Sequence, residues 1–368
     1  MARPAVAEIN LDNLRHNYQL ANSLVGDAQV IAVVKANAYG HGAVAVSKAL
    51  QDLAPAFAVA CIEEALELRR GGITQPVLLL EGAFSEDEVI IASVENFWLM
   101  VDNHKQISML QNVTLQQSVS VWIKVDTGMH RLGFQLDEVA DVYGELQSLS
   151  AVNDDIVVAS HFACADDVSN EMTQAQTECL RNTVKPLPNN ESILLSLGNS
   201  AAILGWPEAQ GDWVRPGIML YGCSPFIHAH DEAKRLKPVM TLKSQVIAVR
   251  DVVAGEAVGY GATWTANRTS KIATVAIGYG DGYPRTVPSG TPVLVNGERC
   301  LLAGRVSMDM ITVDVTDLED VEIGDEVMLW GEGLPCEEIA GQVDTISYEL
   351  LTRIPTRVSR MYFEEIEE

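Results

Sequence analysis

The chain has 368 residues, too long for one small domain, and its 48% hydrophobic and 20% charged content excludes disorder as the dominant state. Lys and Arg number 25 against 50 Asp and Glu, a formal charge of −25, and a field of that sign repels phosphate backbones, so no nucleic-acid partner is expected. No window approaches 18 uninterrupted apolar residues and the opening stretch MARPAVAEIN has no apolar core, which argues against a membrane span and a secretory signal.

In chain order, an amphipathic stretch over Asp12–Leu24 opens on Asp12, a good helix cap. Apolar runs follow at Val30–Lys35, Ala56–Cys61, Val77–Leu80, Phe97–Val101, Val119–Val125, Ile156–Ser160, Ile193–Leu197 and Trp213–Tyr221. Near-continuous apolarity is the mark of parallel strands buried on both faces. Helical patterns lie between them at Ala43–Leu50, Glu63–Arg70, Ser85–Val94, Leu136–Leu149 and Asn170–Val184. Eight strands interleaved with helices predict an α/β fold, a (β/α)8 TIM-like barrel. A doubly wound open sheet is the alternative, but no G-x-G-x-x-G follows the first strand.

After Pro238 the texture changes to short, often β-branched segments: Leu242–Val249, Lys271–Ile277, Thr291–Val295, Met310–Val315 and Glu326–Trp330. Turn pairs such as Asn296-Gly297 and Gly324-Asp325 separate them, which predicts antiparallel β structure. The expected division is therefore a barrel over residues 1–237 and a C-terminal β-rich domain over 238–368, with the acidic end Glu364–Glu368 as a solvated tail. The six cysteines are scattered with no C-x-x-C, as expected for free thiols in a reducing cytoplasm. His228 and His230 lie in a polar loop without a third ligand nearby, and no metal is assigned.

Residues at the C-terminal ends of barrel strands face the active site. The first apolar run ends Ala-Val-Val-Lys35-Ala-Asn-Ala-Tyr39-Gly-His-Gly. A lysine closing a buried aliphatic run is destabilised by desolvation unless neutralised, and a Schiff base to a carbonyl cofactor neutralises it. The plainer alternative is a lysine snorkelling at a strand end. Further groups follow in order: Lys124-Val-Asp-Thr-Gly-Met-His-Arg131-Leu-Gly, Ser160-His161-Phe, Asn199-Ser200, Arg215-Pro-Gly-Ile218, Gly259-Tyr260-Gly-Ala-Thr, Ile277-Gly-Tyr279-Gly-Asp-Gly-Tyr-Pro-Arg, Gly304-Arg-Val-Ser-Met308-Asp309 and Ile346-Ser-Tyr348-Glu.

Taken together, and across essentially the whole chain, these motifs resemble those of the bacterial, barrel-type alanine racemase family. The resemblance implies interconversion of L- and D-alanine on pyridoxal 5'-phosphate, supplying D-alanine for peptidoglycan. It implies that Lys35 holds the cofactor as an aldimine and serves as one Cα base, with Tyr260 as the second. Proton exchange on both faces of a planar carbanion needs two such bases, and a phenol is a weak one at neutral pH unless positive neighbours help. Arg215 is expected to face the pyridine nitrogen, and a guanidinium only donates, so that nitrogen must stay unprotonated.

By the same resemblance Tyr39, Ser200, Tyr348 and the amides of Gly217 and Ile218 hold the phosphate, while Asn199 and His161 belong to the cofactor's surroundings. His161 is expected to link Tyr260 to Arg215. Arg131 touches the cofactor's phenolic oxygen and, with the backbone of Met308, the substrate carboxylate. Tyr279 and Asp309 stand at the entrance. Lys124 is the lysine that many members carry as a carbamate, an anion able to hold Arg131. Ser196 stands where some members have a histidine behind Arg215. The family's sites are completed across a homodimer, so Tyr260, Tyr279, Met308 and Asp309, and Arg131 in part, would serve the partner's barrel. The rivals are a basic amino-acid decarboxylase, disfavoured by Arg215, a broader racemase, and a non-catalytic cofactor carrier, which would have no use for Tyr260 or the second domain.

Overall fold

A computed structural model describes residues 3–364; residues 365–368 of the expected acidic tail lie outside the described residues. Eight parallel strands close into a barrel: Gln29–Val33, Ala56–Val59, Val77–Leu79, Phe97–Val101, Val121–Lys124, Val157–Ala159, Leu194–Ser196 and Trp213–Val214, the last pairing back to the first through Gln29↔Trp213. Seven lie inside the eight apolar runs and the first, Gln29–Val33, starts one residue ahead of its run, because strands covered on both faces have no room for polar alternation. Helices pack outside, among them Ala43–Leu50, Ile62–Arg70, Glu86–Val94 and Met172–Val184. Trp98, Trp122 and Trp213, from the fourth, fifth and eighth barrel strands, meet with ring centroids 5.5 to 6.0 Å apart near the strand N-termini. They fill that end of the barrel and leave the opposite, C-terminal mouth as the place for a site.

The second unit is an eight-stranded sheet in the order Ser270–Val275, Ile311–Asp314, Glu298–Leu302, Pro292–Val295, Glu326–Trp330, Met240–Val252, Val6–Asn10, Ser359–Phe363. The long strand Met240–Val252 slips register between Val246 and Ala248, as a bulge does. It pairs Glu326–Trp330 on one side of that point and Ser270–Val275 on the other, so six antiparallel strands close on themselves. Val6–Asn10 is a departure from the expected division at residue 238: it leaves the barrel and pairs antiparallel with Met240–Val252 and parallel with Ser359–Phe363. Gly222 makes the turn out of the barrel at φ 82°, where a Cβ would lie 1.9 Å from the carbonyl oxygen of Lys237.

The first helix spans Leu11–Leu24, and its cap is Asn10 rather than the expected Asp12. The Asn10 Oδ1 accepts from the amides of Asp12 at 3.0 Å and Asn13 at 2.9 Å. Asp12 sits in the first turn, paired with Arg15. The last apolar run, Trp213–Tyr221, is strand only through Val214. Pro216 has no amide to donate, and the rest forms a tight turn over Ile218–Tyr221.

The cap assignment predicts that Asn10→Ala lowers stability by about 1 kcal/mol, while Asp12→Ala, losing an exposed pair and a first-turn acid, costs about half that. Urea midpoints of the two variants check the ranking.

Candidate active site

Directly after the first barrel strand, Ala36, Asn37, Ala38 and Tyr39 all adopt the left-handed region, at φ 52°, 54°, 52° and 50°. Left-handed backbone costs roughly 1–2 kcal/mol per non-glycine residue, so something must hold the turn. Glu64, in the first turn of the helix Ile62–Arg70, accepts from the amides of Ala36 at 2.7 Å and Ala60 at 2.8 Å. Asn37 Oδ1 takes the amide of Ala43 at 2.8 Å. The turn lifts Lys35 into the mouth of the barrel and sends the Tyr39 ring inward, stacked 4.8 Å from Tyr221 and tilted 5.9 Å from Tyr348.

The mouth holds a cavity of about 760 Å³. Lys35, Tyr39, Lys124, Arg131, His161, Asn199, Ser200, Arg215, Gly217, Ile218 and Tyr348 all line it, so eleven of the expected residues meet in one place. Each comes from a strand end or the loop beyond it, except Tyr348, which the helix Ser347–Thr352 of the second unit lays over the rim.

Arg215 is buried, and its guanidinium donates to the backbone oxygens of Ser160 at 2.6 Å and Leu197 at 3.4 Å and to Ser196 Oγ. Ser196 in turn donates to the carbonyl of Trp213 at 2.8 Å, so this serine supports the arginine directly. Among the described residues Arg215 makes no hydrogen bond to the His161 ring. Burial lowers the Arg215 pKa to about 10, which leaves it charged at neutral pH. Burial, joined by the charges of Lys124, Arg215, Arg131 and Lys35, drives His161 well below its ordinary value and keeps the imidazole neutral. Lys124 is pushed well down by burial and then by Arg215 and Arg131. Lys35 is lowered by burial and by Arg131, with Glu81 and Glu64 opposing. Both shifts favour neutral amines, the form that attacks a carbonyl carbon.

The opposite wall fits a phosphate. Ser200 Oγ accepts from the amides of Gly217 at 2.9 Å and Met219 at 3.3 Å, which aims its own proton elsewhere. A Cβ on Gly217 would lie 2.4 Å from the Tyr39 hydroxyl, so only glycine leaves the cradle open. Burial pushes the Tyr39 phenol up to about 12 and raises that of Tyr348, keeping both as donors. Amides, hydroxyls and a nearby cation form the donor set that an oxyanion requires. A lysine, a phosphate cradle and a buried guanidinium around one cavity fit pyridoxal 5'-phosphate.

Tyr260, Tyr279, Met308 and Asp309 stand apart from that cavity, on the second unit. Tyr260 is 69% exposed in a turn flanked by Gly259 and Gly261, at φ 76° and 74°. A Cβ at Gly261 would lie 3.0 Å from an Arg305 guanidinium nitrogen, so a cation packs against this turn. Met308 is 53% exposed, and its amide makes no hydrogen bond among the described residues. Glu64, Asn37 and Arg305 were missed by sequence reasoning. Glu64 reads as an ordinary first-turn acid, and only the left-handed run it clamps gives it away. Arg305 lies inside a quoted motif, three residues before Met308.

The family model described as the alanine racemase N-terminal domain matches residues 9–225, and that of the alanine racemase C-terminal domain matches 239–362. The chain is 50% identical over 362 residues to the alanine racemase of Chromohalobacter salexigens, covering 98% of each protein. Its structure is similar to that of the biosynthetic alanine racemase from Pseudomonas aeruginosa, with TM-score 0.91, 46% identity and coverage of 98% and 99% of the two chains. It is also similar to alanine racemase from Bartonella henselae with covalently bound pyridoxal phosphate, with TM-score 0.87, 31% identity and coverage of 98% and 99%. Matched along both halves and at half of its aligned positions, the chain belongs to the alanine racemase family and is an amino-acid racemase.

Proposed function

We propose that the protein interconverts L- and D-alanine by a two-base proton transfer on pyridoxal 5'-phosphate. The observation that carries this reading is the meeting of Lys35, a charged and buried Arg215 and the Gly217–Ser200 cradle around one cavity. When bound, the cofactor supplies stabilisation of the negative charge that develops at Cα.

Lys35 holds the cofactor covalently and, released from it, moves the proton on one face of Cα. Tyr260 moves it on the other. Tyr39, Ser200, Tyr348 and the amides of Gly217 and Ile218 hold the phosphate, with Asn199 capping the short helix that presents Ser200. Arg215 has no proton-accepting atom, so it keeps the pyridine nitrogen an acceptor. That restrains electron withdrawal and suppresses side reactions. His161, held neutral, adds no further positive charge to the cavity. Arg131 and the Met308 amide bind the substrate carboxylate, and Tyr279 and Asp309 narrow the entrance.

Tyr260, Tyr279, Met308 and Asp309 belong to the partner's site in a homodimer, which accounts for their exposure and distance from this chain's own cavity. Lys124, shifted toward its free amine by burial beside two guanidiniums, adds CO₂ at Nζ and loses a proton, and the carbamate anion pairs with Arg131. The division near residue 238 belongs to the same reading, with Val6–Asn10 lent to the second unit. Six unpaired cysteines favour a cytoplasmic location, and among the described residues no helix is long and apolar enough to cross a membrane. The reaction runs either way, and supply of D-alanine for peptidoglycan is the use we assign to it.

In D₂O with L-alanine, the wild type should form D-alanine and deuterate Cα together. Tyr260→Phe should lose about 10²–10⁴-fold of that rate while keeping the bound cofactor's visible absorbance. A wild type that binds cofactor yet neither exchanges nor inverts alanine ends the reading. Lys35→Ala and Tyr260→Phe, each inactive alone, should regain about a quarter of wild-type activity after mixing and subunit exchange, since half of the dimers then carry one intact site. Enzyme equilibrated with ¹³C-bicarbonate should show a carbamate carbon by NMR that Lys124→Ala lacks.

A further inference from the structure

Outside the cavity, the most buried charge in the second unit is Asp281, with no exposed surface. Its Oδ1 accepts from Arg357 Nε at 2.8 Å and Arg3 Nε at 3.3 Å. Its Oδ2 accepts from Arg3 at 2.7 Å and from the Gly278 amide at 2.9 Å. Both arginines reach past Asp281 to the same neighbour. Arg3 donates to the Asp309 carbonyl at 2.9 Å, and Arg357 to Asp309 Oδ1 at 2.6 Å. The two cations and two carboxylates balance, and Arg357 holds the Asp309 carboxyl below its ordinary value.

The quartet joins two short segments. One is the turn Gly278–Asp281 with Tyr279 in it; the other is the bend at residues 307–310 with Met308 in it. Backbone bonds zip them together, from Tyr279 to the Ser307 oxygen at 3.0 Å and from Gly280 to the Met308 oxygen at 2.8 Å. There is no slack: a Cβ at Gly278 would lie 2.3 Å from the Ser307 oxygen, and one at Gly280 2.8 Å from an Arg357 nitrogen. Met308 and Tyr279 are themselves exposed, at 53% and 40%. Their side chains are not packed into place; the bonds behind them fix the backbone.

We propose that Asp281, acting through Arg3 and Arg357, is a positioning residue for the substrate carboxylate. It sets where the Met308 amide and the Tyr279 ring stand, and a misplacement of about 1 Å in such contacts costs on the order of 10²-fold in rate. This rests on the reading that Met308 and Tyr279 serve the partner's barrel. The arginines are partly exposed, so each is replaced without opening the core.

The test measures kcat and KM for L-alanine, cofactor absorbance and melting temperature in Arg3→Ala, Arg357→Ala and Arg357→Lys, with Arg268→Ala as a control at an exposed pair with Asp317. The expected result is a KM raised about tenfold in both alanine variants, with wild-type cofactor content, partial recovery in Arg357→Lys and no change in Arg268→Ala. A lowered melting temperature with KM unchanged in both alanine variants makes the quartet merely structural and overturns the proposal. If the Lys35→Ala and Tyr260→Phe mixture stays inactive, the shared site falls and takes this proposal with it. Recovery of the mixture with KM unchanged removes the proposal alone.

Discussion

Arg215 lies beyond the end of the eighth barrel strand with its guanidinium out of water, and Lys124, His161 and Lys35 face the same cavity. Withdrawing a single ion from water costs several kcal/mol even after relaxation. Two backbone oxygens and Ser196 meet the guanidinium. The neighbours respond by favouring their uncharged forms: His161 stays neutral at neutral pH, and Lys124 is pushed well down toward its free amine. Burial thus orders the mouth: amines shifted toward neutrality beside guanidiniums that only donate, with the carboxylates of Glu81, Asp126 and Glu349 on the same lining. Everything proposed for the site follows from that order: neutral amines for covalent chemistry, and guanidiniums for holding a phosphorylated ring and a carboxylate.

Periodicity made the barrel legible, because eight runs buried on both faces show themselves as unbroken apolarity. The second unit was legible from its turn residues. The first and last strands of the sheet were not. Val6–Asn10 and Ser359–Phe363 are short, and their partners lie far away in sequence. The cap at Asn10 was missed because Asp12 is also a plausible cap, and only the observed hydrogen bonds choose between them.

The site divides in the same way. Lys35 stood out physically, as a cation at the end of a buried run, and the other positions came through motif resemblance. Nothing in the pattern announces that Ala36 to Tyr39 turn left-handed, since alanine is a strong helix former. That conformation is held by the Asn37 side chain nearby and by Glu64, 28 residues on from Ala36, a contact that no local rule anticipates. Ser196 makes the supporting contact to Arg215 and is itself held by the Trp213 carbonyl.

Val6–Asn10 is synthesised before the barrel, yet its sheet neighbours are residues 240–243 and 359–363. On the ribosome the opening strand therefore waits, unpaired, while the whole barrel is made. Long-range pairings of this kind slow folding and leave a strand edge open to wrong partners. Ser359–Phe363 can close against Val6–Asn10 only after the barrel and the rest of the sheet have been made. Nascent chains stopped short of residue 359 hold a finished barrel beside an unsealed sheet, the state most exposed to aggregation and to proteases.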